Sequence, residues 1–436
     1  MGKINIIQLN GEIMKRKYDV TIVGTGAAGL FCALSFPDNK SILMITKEGV
    51  DESDSYLAQG GICMLRGDED YDDYFEDTMR AGHYENDEKA VDLMLRCSSG
   101  VIRELIRYGV NFERNGKGEL DFTKEGAHSQ ARILFHEDIT GKEITSTLLK
   151  RVKEKNNIEI MEYTTMIDII SAENVCGGIV ASDREGEIFS IMSDYVVFAC
   201  GGIGGLYKNS TNYPHLTGDA LAIAMKHGVE VAHMDFVQIH PTTLYSEKKG
   251  RRFLISESAR GEGAVLLGKN MNRFVDELQP RDVVSKAIFA QMEKDGTDYV
   301  WEDLRPIGEE EIMSHFPNIY KHCLEEGYDV TKEPIPVVPA QHYHMGGIAV
   351  DLSSQTSMEG LFAIGEVSCN GVHGKNRLAS NSLLESLVFA RQAADEILFG
   401  NGKKAMNFPE ADPGLYREQE EIFAEYREMV LEKIGE

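Results

Sequence analysis

The stretch Tyr18–Gly29 (YDVTIVGTGAAG) restricts the fold of this chain more than any other. Tyr18–Val23 is a β-rich apolar run that ends in Gly24-Thr25-Gly26-Ala27-Ala28-Gly29. Ala27–Phe36 then reads as a helix, and Ser41–Thr46 (SILMIT) as a second strand. Strand, glycine turn, helix and strand in that order open a parallel α/β domain. Glycines at these places permit a tight turn and let backbone approach a pyrophosphate at the helix N-terminus. The pattern therefore predicts a dinucleotide site.

Length and charge bound the rest. The chain has 436 residues, room for about two to three domains. Its 42 glycines exceed the usual share of about 7% and suggest tight turns and close backbone approach to a ligand. With 45 Lys+Arg against 71 Asp+Glu, the net charge is −26. Such a surface repels phosphate backbones and anionic lipid, so nucleic acid and membrane are not expected as partners. An anionic substrate would need a local cluster of cations. No apolar run has the length of a membrane span, and Met1–Asn10 lacks the pattern of a signal peptide. The seven cysteines are scattered, without a C-x-x-C pair, and read as small core residues of a cytoplasmic protein.

Helical patterns cover Asp72–Ala81, Glu88–Tyr108 and Gly141–Lys155. Ile158–Tyr163, Met166–Ser171, Val175–Asp183 and Glu187–Met192 suggest a small antiparallel insertion. Tyr195–Cys200 is a further buried strand, and Gly218–His227 a helix. From about His233 to Gln341 the texture changes, with Arg clusters and a Pro-rich exit. The chain then returns to strand-like runs at 348–350 and 361–365 and closes with a helix over Ser382–Phe399. No metal site is expected: Asp68–Asp73 imitates an EF-hand start but has Asp73 where Gly is needed, and the histidines lack ligand spacing. The acidic run reads as the first turn of a helix.

The acidic residue that usually ends the second strand is absent. Lys47 stands there, which suits either the 2′-phosphate of NADP or an FAD site that omits the acidic contact. Two distant segments favour FAD. Thr356–Glu366 is an apolar strand followed by Gly365 and Glu366, the form of a late flavoprotein signature, and Glu366 can hydrogen-bond a ribityl chain. Tyr195–Gly202 (YVVFACGG) has the form of a middle one. A single nicotinamide domain needs neither. The stretch 233–341 and the segments just after it add a cationic group: Gln238-Ile-His240-Pro-Thr, Ser256-Glu257-Ser-Ala-Arg260, Pro280-Arg281-Asp282, His342-Tyr-His344 and Asn376-Arg377. Arg suits carboxylates because its fork bonds both oxygens.

With these motifs together (GTGAAGL, YLAQGG, QIHPT, ARGEG, PRD, HYHMGG, AIGEVS and NRLASNSLLE), Tyr18–Phe399 resembles the L-aspartate oxidases, in the flavoprotein superfamily of succinate dehydrogenase and fumarate reductase. The resemblance implies a Rossmann-like α/β FAD-binding domain (1–232 and 342–405), an inserted α+β capping domain (233–341) and a short helical remnant (406–436) of the family's third domain. It implies FAD contacts at Gly24, Thr25, Gly26, Ala27, Ala28, Gly29, Lys47, Asp54, Ser55, Tyr56, Leu57, Ala58, Gln59, Gly60, Gly61, Asp219, Glu366, Ser382 and Leu383. Asp54 replaces the His of the covalent-flavin relatives, so the FAD is expected to be non-covalent.

By the same resemblance, His240, His342 and Arg377 bind the carboxylates of a small dicarboxylate, L-aspartate or fumarate, with Gln238 and Ser256 adding neutral hydrogen bonds. Arg281 takes the place of the catalytic Arg, and Glu257 and Arg260 those of its proton relay. A guanidinium holds its proton too firmly to be a lone base, so a relay is physically easier. Glu125 stands where aspartate oxidases place an acid facing the substrate ammonium; on its own residues it reads as an ordinary loop carboxylate. His344, where relatives carry Thr, is a departure beside His342. The implied activity is oxidation of aspartate to iminoaspartate, with fumarate or O₂ as acceptor, feeding quinolinate and NAD synthesis, with quinolinate synthase as a candidate partner and the oligomeric state open. The alternatives are a soluble fumarate reductase and a non-catalytic flavin-binding subunit.

Overall fold

A computed structural model describes residues 16–435 other than 249, 405, 409, 410 and 417. The leader over residues 1–17 lies almost wholly outside the described residues. At the centre is a seven-stranded sheet. Arg16–Val23 runs between Ile42–Ile45 and Ile188–Phe198, parallel to both. Leu361–Ala363 adds in parallel to the end of Ile188–Phe198. Strands covered on both faces read as unbroken apolar runs, and Ile42–Ile45 is buried at every position. One face carries helix Ala27–Leu34, packed against Asn381–Phe399 and Thr140–Lys153, with Glu88–Tyr108 behind. The helix Gln419–Gly435 within the expected remnant packs on Asp219–Lys226 at the other face.

Two expectations are corrected. Ile158–Met161 does not belong to an antiparallel insertion: it extends the central sheet, parallel to Ile42–Ile45. Glu187–Met192 and Tyr195–Cys200 are not separate strands, because Ile188–Phe198 is continuous. The polar Ser193-Asp194 between them looks like a break. In the fold the Ser193 hydroxyl is buried and paired with Thr21 Oγ1 at 2.5 Å across the sheet. The antiparallel meander is therefore Thr165–Ala172, Val175–Ser182 and the first half of Ile188–Phe198.

A second lobe has its own four-stranded antiparallel sheet, in the order Val237–Leu244, Ile335–His344, Val300–Asp303, Val265–Leu267. Helices Arg281–Asp295, Glu309–His315 and Pro317–Glu325 close over a separate core that includes Ile255, Leu266, Val284, Ile288, Ile319 and Val337. All seven cysteines are free. Among the described residues no helix is long and apolar enough to cross a membrane.

Candidate active site

A cleft of about 1810 Å³, open to solvent, runs between the lobes. One end is built by the glycine turn. Gly24 has φ 118°, and a Cβ there would lie 2.1 Å from the Ala199 carbonyl oxygen; a Cβ on Gly29 would lie 2.2 Å from that of Gly24. Only glycine lets the strand end and the helix start come this close. Gly24, Thr25, Gly26 and Ala28 line the cleft, with Lys47, Asp54, Ser55, Asp219, Glu366, Ser382, Leu383 and Leu57–Gly61. Ala27, Gly29 and Tyr56 stand outside its wall. The Lys47 ammonium is paired with the Asp219 carboxylate and donates to the His215 carbonyl at 3.2 Å, so it is not a free cation awaiting a 2′-phosphate.

The wall has the hydrogen-bonding groups that a flavin dinucleotide needs. Ser53 Oγ, Asp54 Oδ2 and Gln59 Oε1 are buried polar atoms without a protein partner, a costly state unless a ligand serves them. Glu366 Oε1 accepts the His344 N–H at 2.9 Å. Burial, with the Asp54 charge nearby, pushes Glu366 up to about 8, so at neutral pH its carboxyl can both donate to and accept from hydroxyls.

The other end is cationic. Arg281 Nε lies 2.5 Å from Glu257 Oε2, and Arg260 Nη2 lies 3.7 Å from the same oxygen. Burial raises the Glu257 carboxyl, but the charges of Arg281 and Arg260 outweigh it and hold the group below its usual range. Arg377 Nη1 donates to Ser382 Oγ at 2.9 Å, its guanidinium lies 4.6 Å from the Tyr343 ring centre, and its Nε has no protein partner. Burial and the charge of Arg281 lower Arg377 to about 10, which leaves it charged at neutral pH.

The His240 and His342 rings meet edge to face, 5.1 Å between centres. Burial and the charge of Arg281 hold both well below the usual histidine value, so both are neutral. His240 Nδ1 lies 3.2 Å from the Thr242 N–H and 3.1 Å from the Thr242 carbonyl, and Thr211 Oγ1 approaches His342 Nδ1 at 2.7 Å. In the tautomers where Nδ1 accepts, each ring presents an Nε2–H for a carboxylate.

Glu125 is buried in the same wall. Ser258 Oγ donates to its Oε1 at 2.8 Å and Ser380 Oγ to its Oε2 at 2.6 Å. Burial and the charge of Glu257 raise its carboxyl. The cleft thus brings together Glu125, His240, Ser256, Glu257, Arg281, His342 and Arg377.

Two expected residues stand behind that wall. Gln238 accepts from Arg281 Nη1 at 2.9 Å and donates to Asn376 Oδ1 at 2.9 Å and to the Arg377 carbonyl at 2.8 Å. It ties the two arginine segments to each other instead of facing the cleft. Arg260 backs Glu257. His344 does not enter the pocket beside His342: the strand pairing is irregular there, skipping His342 between Gln341 and Tyr343, and the His344 Nε2 faces the Met234 carbonyl at 3.1 Å. Sequence reasoning missed Thr211, Ser258 and Ser380. Ser258 and Ser380 lie inside the quoted motifs, yet no spacing rule marks them.

The fold and cleft define an FAD-binding flavoprotein, and the family model described as "FAD binding domain" matches residues 19–383. An L-aspartate oxidase of Clostridium perfringens is 50% identical over 385 residues, 88% of this chain and 87% of the relative. One of Clostridium acetobutylicum is 48% identical over 88% of each. The chain belongs to the L-aspartate oxidase family. Among solved structures, a mutant FrdA of E. coli quinol fumarate reductase superposes with a TM-score of 0.85 at 31% identity, covering 94% of this chain and 74% of that one.

Proposed function

We propose that this chain oxidises L-aspartate to iminoaspartate. The observation that carries the reading is the placement of one buried carboxylate, Glu125, in the same wall as Arg281, Arg377, His240 and His342. That set complements a four-carbon diacid bearing an ammonium group. Arg377 and the two imidazoles hold the carboxylates, and Glu125 attracts the nitrogen. FAD, held non-covalently by the residues of the glycine turn, Asp54–Gly61 and Glu366, supplies the hydride acceptor when bound. The Glu257 charge keeps Arg281 aimed at the substrate, and Arg260 steadies Glu257 from behind. Closure of the second lobe excludes water and fixes the reacting geometry.

Fumarate or O₂ serves as the final acceptor in this reading. The product feeds quinolinate and NAD synthesis in the cytoplasm, and quinolinate synthase is the candidate consumer. The likeness to fumarate reductase supports a second reading, a soluble dicarboxylate oxidoreductase with no use for an amine contact. Anaerobic mixing of the holoenzyme with L-aspartate or succinate separates the two. Rapid bleaching of the flavin by aspartate alone is the expected result; bleaching by succinate alone overturns the reading. Glu125→Gln removes one charged hydrogen bond and should slow aspartate oxidation by about ten- to hundredfold, with fumarate reduction nearly unchanged. Equal losses would remove Glu125 from its role.

A further inference from the structure

The nitrogen of the substrate must shed a proton before its lone pair can form the C=N bond. In the reading above, which this inference extends, the group facing that nitrogen is Glu125, only 3% exposed. A proton delivered there needs a second connection to water. Arg281, Glu257 and Arg260 do not provide it, because they form their own chain into the second lobe.

A smaller pocket lies against the main cleft and shares Gln59, Gly60 and Ser256 with its wall. Ser258 also lines it, and the Ser258 hydroxyl is the one that donates to Glu125 Oε1 at 2.8 Å. Ser256 Oγ lies 3.2 Å from Ser258 Oγ. The outer end is marked by His315 and Glu262, paired at 2.8 Å with side chains 45% and 26% exposed. Asp138, on the same wall, is already committed: it accepts the backbone N–H groups of Asn318 and Ile319 and the Asn318 amide. Its water-sized space of about 20 Å³ has room for about one ordered water.

We propose that the amine proton leaves through this side cavity, from substrate nitrogen to Glu125, across the Ser258 hydroxyl to water, and out past the His315–Glu262 pair. An N–H bond breaks and an O–H bond forms on the Glu125 carboxylate. Once Oε1 is protonated, the Ser258 hydroxyl, which donates to it in the resting site, turns its hydrogen toward a water in the side pocket; it then accepts the Glu125 proton on its oxygen while giving its own hydrogen to that water. Glu125 returns to its ionised form and no electrons change hands. Ser258 acts through Glu125 and is a positioning residue. The groups around Glu125 are Ser258, Glu257 and Arg281 from the second lobe and Ser380 from the first.

The test is anaerobic rapid mixing of the FAD-loaded enzyme with L-aspartate in H₂O and D₂O, beside fumarate reduction by the pre-reduced enzyme, which involves no amine proton. Ser258→Ala should slow aspartate-dependent flavin bleaching by about tenfold or more and enlarge its solvent isotope effect. Fumarate reduction should stay within about twofold. Ser258→Thr, which keeps a hydroxyl, should restore the aspartate rate. His315→Gln, at the surface end, should slow bleaching by about threefold without loss of FAD. A Ser258→Ala enzyme that keeps its aspartate rate, or loses both rates alike, overturns the route. If Glu125→Gln is slow while Ser258→Ala is fast, only the route fails; if Glu125→Gln is fast as well, the role given to Glu125 fails with it.

Discussion

Arg281 and Glu257 form a buried ion pair, Nε to Oε2 at 2.5 Å, with the Arg260 guanidinium 3.7 Å from the same carboxylate oxygen. One negative charge thus steadies two positive ones beside the cleft. Glu257→Gln keeps the shape and removes the charge. Flavin reduction by aspartate should fall by about ten- to hundredfold, the loss of the charged hydrogen bond that aims Arg281. Affinity for a non-reacting dicarboxylate should not fall, because the site becomes more positive. Rapid mixing gives the rate, and titration of the flavin spectrum gives the affinity. A parallel loss of both would mean that Glu257 only supports the fold.

Arg377 leaves its Nε free of protein partners while Ser382 and the face of Tyr343 fix its plane. A lysine at this place has a point charge but no fork. Arg377→Lys should raise the KM for aspartate by about ten- to hundredfold, the loss of one charged hydrogen bond, with FAD content unchanged. Steady-state kinetics on protein of measured flavin content checks this.

Gly29 packs against the carbonyl of Gly24, with 2.2 Å left for a Cβ. Gly29→Ala forces the helix start away from the turn. Such overpacking costs about 1–3 kcal/mol, so FAD should bind about ten- to hundredfold more weakly. Flavin fluorescence titration of the apoprotein measures it. An unchanged affinity would detach the glycine turn from the cofactor.

The sequence exposed elements whose ends carry their own chemistry. Helix Glu88–Tyr108 is bracketed by the Asp87 side chain, which accepts from the N–H groups of Lys89 and Ala90, and by Gly109 in the left-handed region. Both signals are local, and the helix has the bounds expected for it. Ile158–Met161 shows the limit: its apolar pattern marks a strand, but its partner Ile42–Ile45 lies far back in the chain. The site divides in the same way. Arg281, His342 and Arg377 stand out because basic side chains gathered in short motifs are unusual in so acidic a chain. Ser258 and Ser380 matter only because two lobes bring their hydroxyls to one carboxylate. Ser380 reaches it from a φ of 62° that nothing in its neighbours announces.

Arg132 is the clearest residue of this hidden kind, and its removal tests what holds the Glu125 segment in place. It is fully buried, with Nη2 2.8 Å from Asp70 Oδ1, Nη1 2.7 Å from Asp77 Oδ2, and Nη1 3.1 Å from His128 Nδ1. His128 in turn reaches the Ala379 carbonyl with Nε2 at 3.0 Å, joining the Glu125 segment to that of Arg377. Arg132→Met leaves the buried Asp70 without its guanidinium partner and Asp77 with Arg80 alone, at a cost of about 3–5 kcal/mol at neutral pH. Burial raises Asp77, but hydrogen bonds from Ser129 and Arg132 prevail and hold it below the usual range. Its contribution is therefore complete above the unfolded value of about 3.9 and is lost as pH falls through the lower folded value. In the variant, acid neutralises the stranded carboxylates and relieves the defect. Urea unfolding should show the widest gap between the two proteins at pH 7 and a narrower one near pH 4. A gap that holds constant with pH would mean that Arg132 stabilises by packing against Tyr74 and not by its charge.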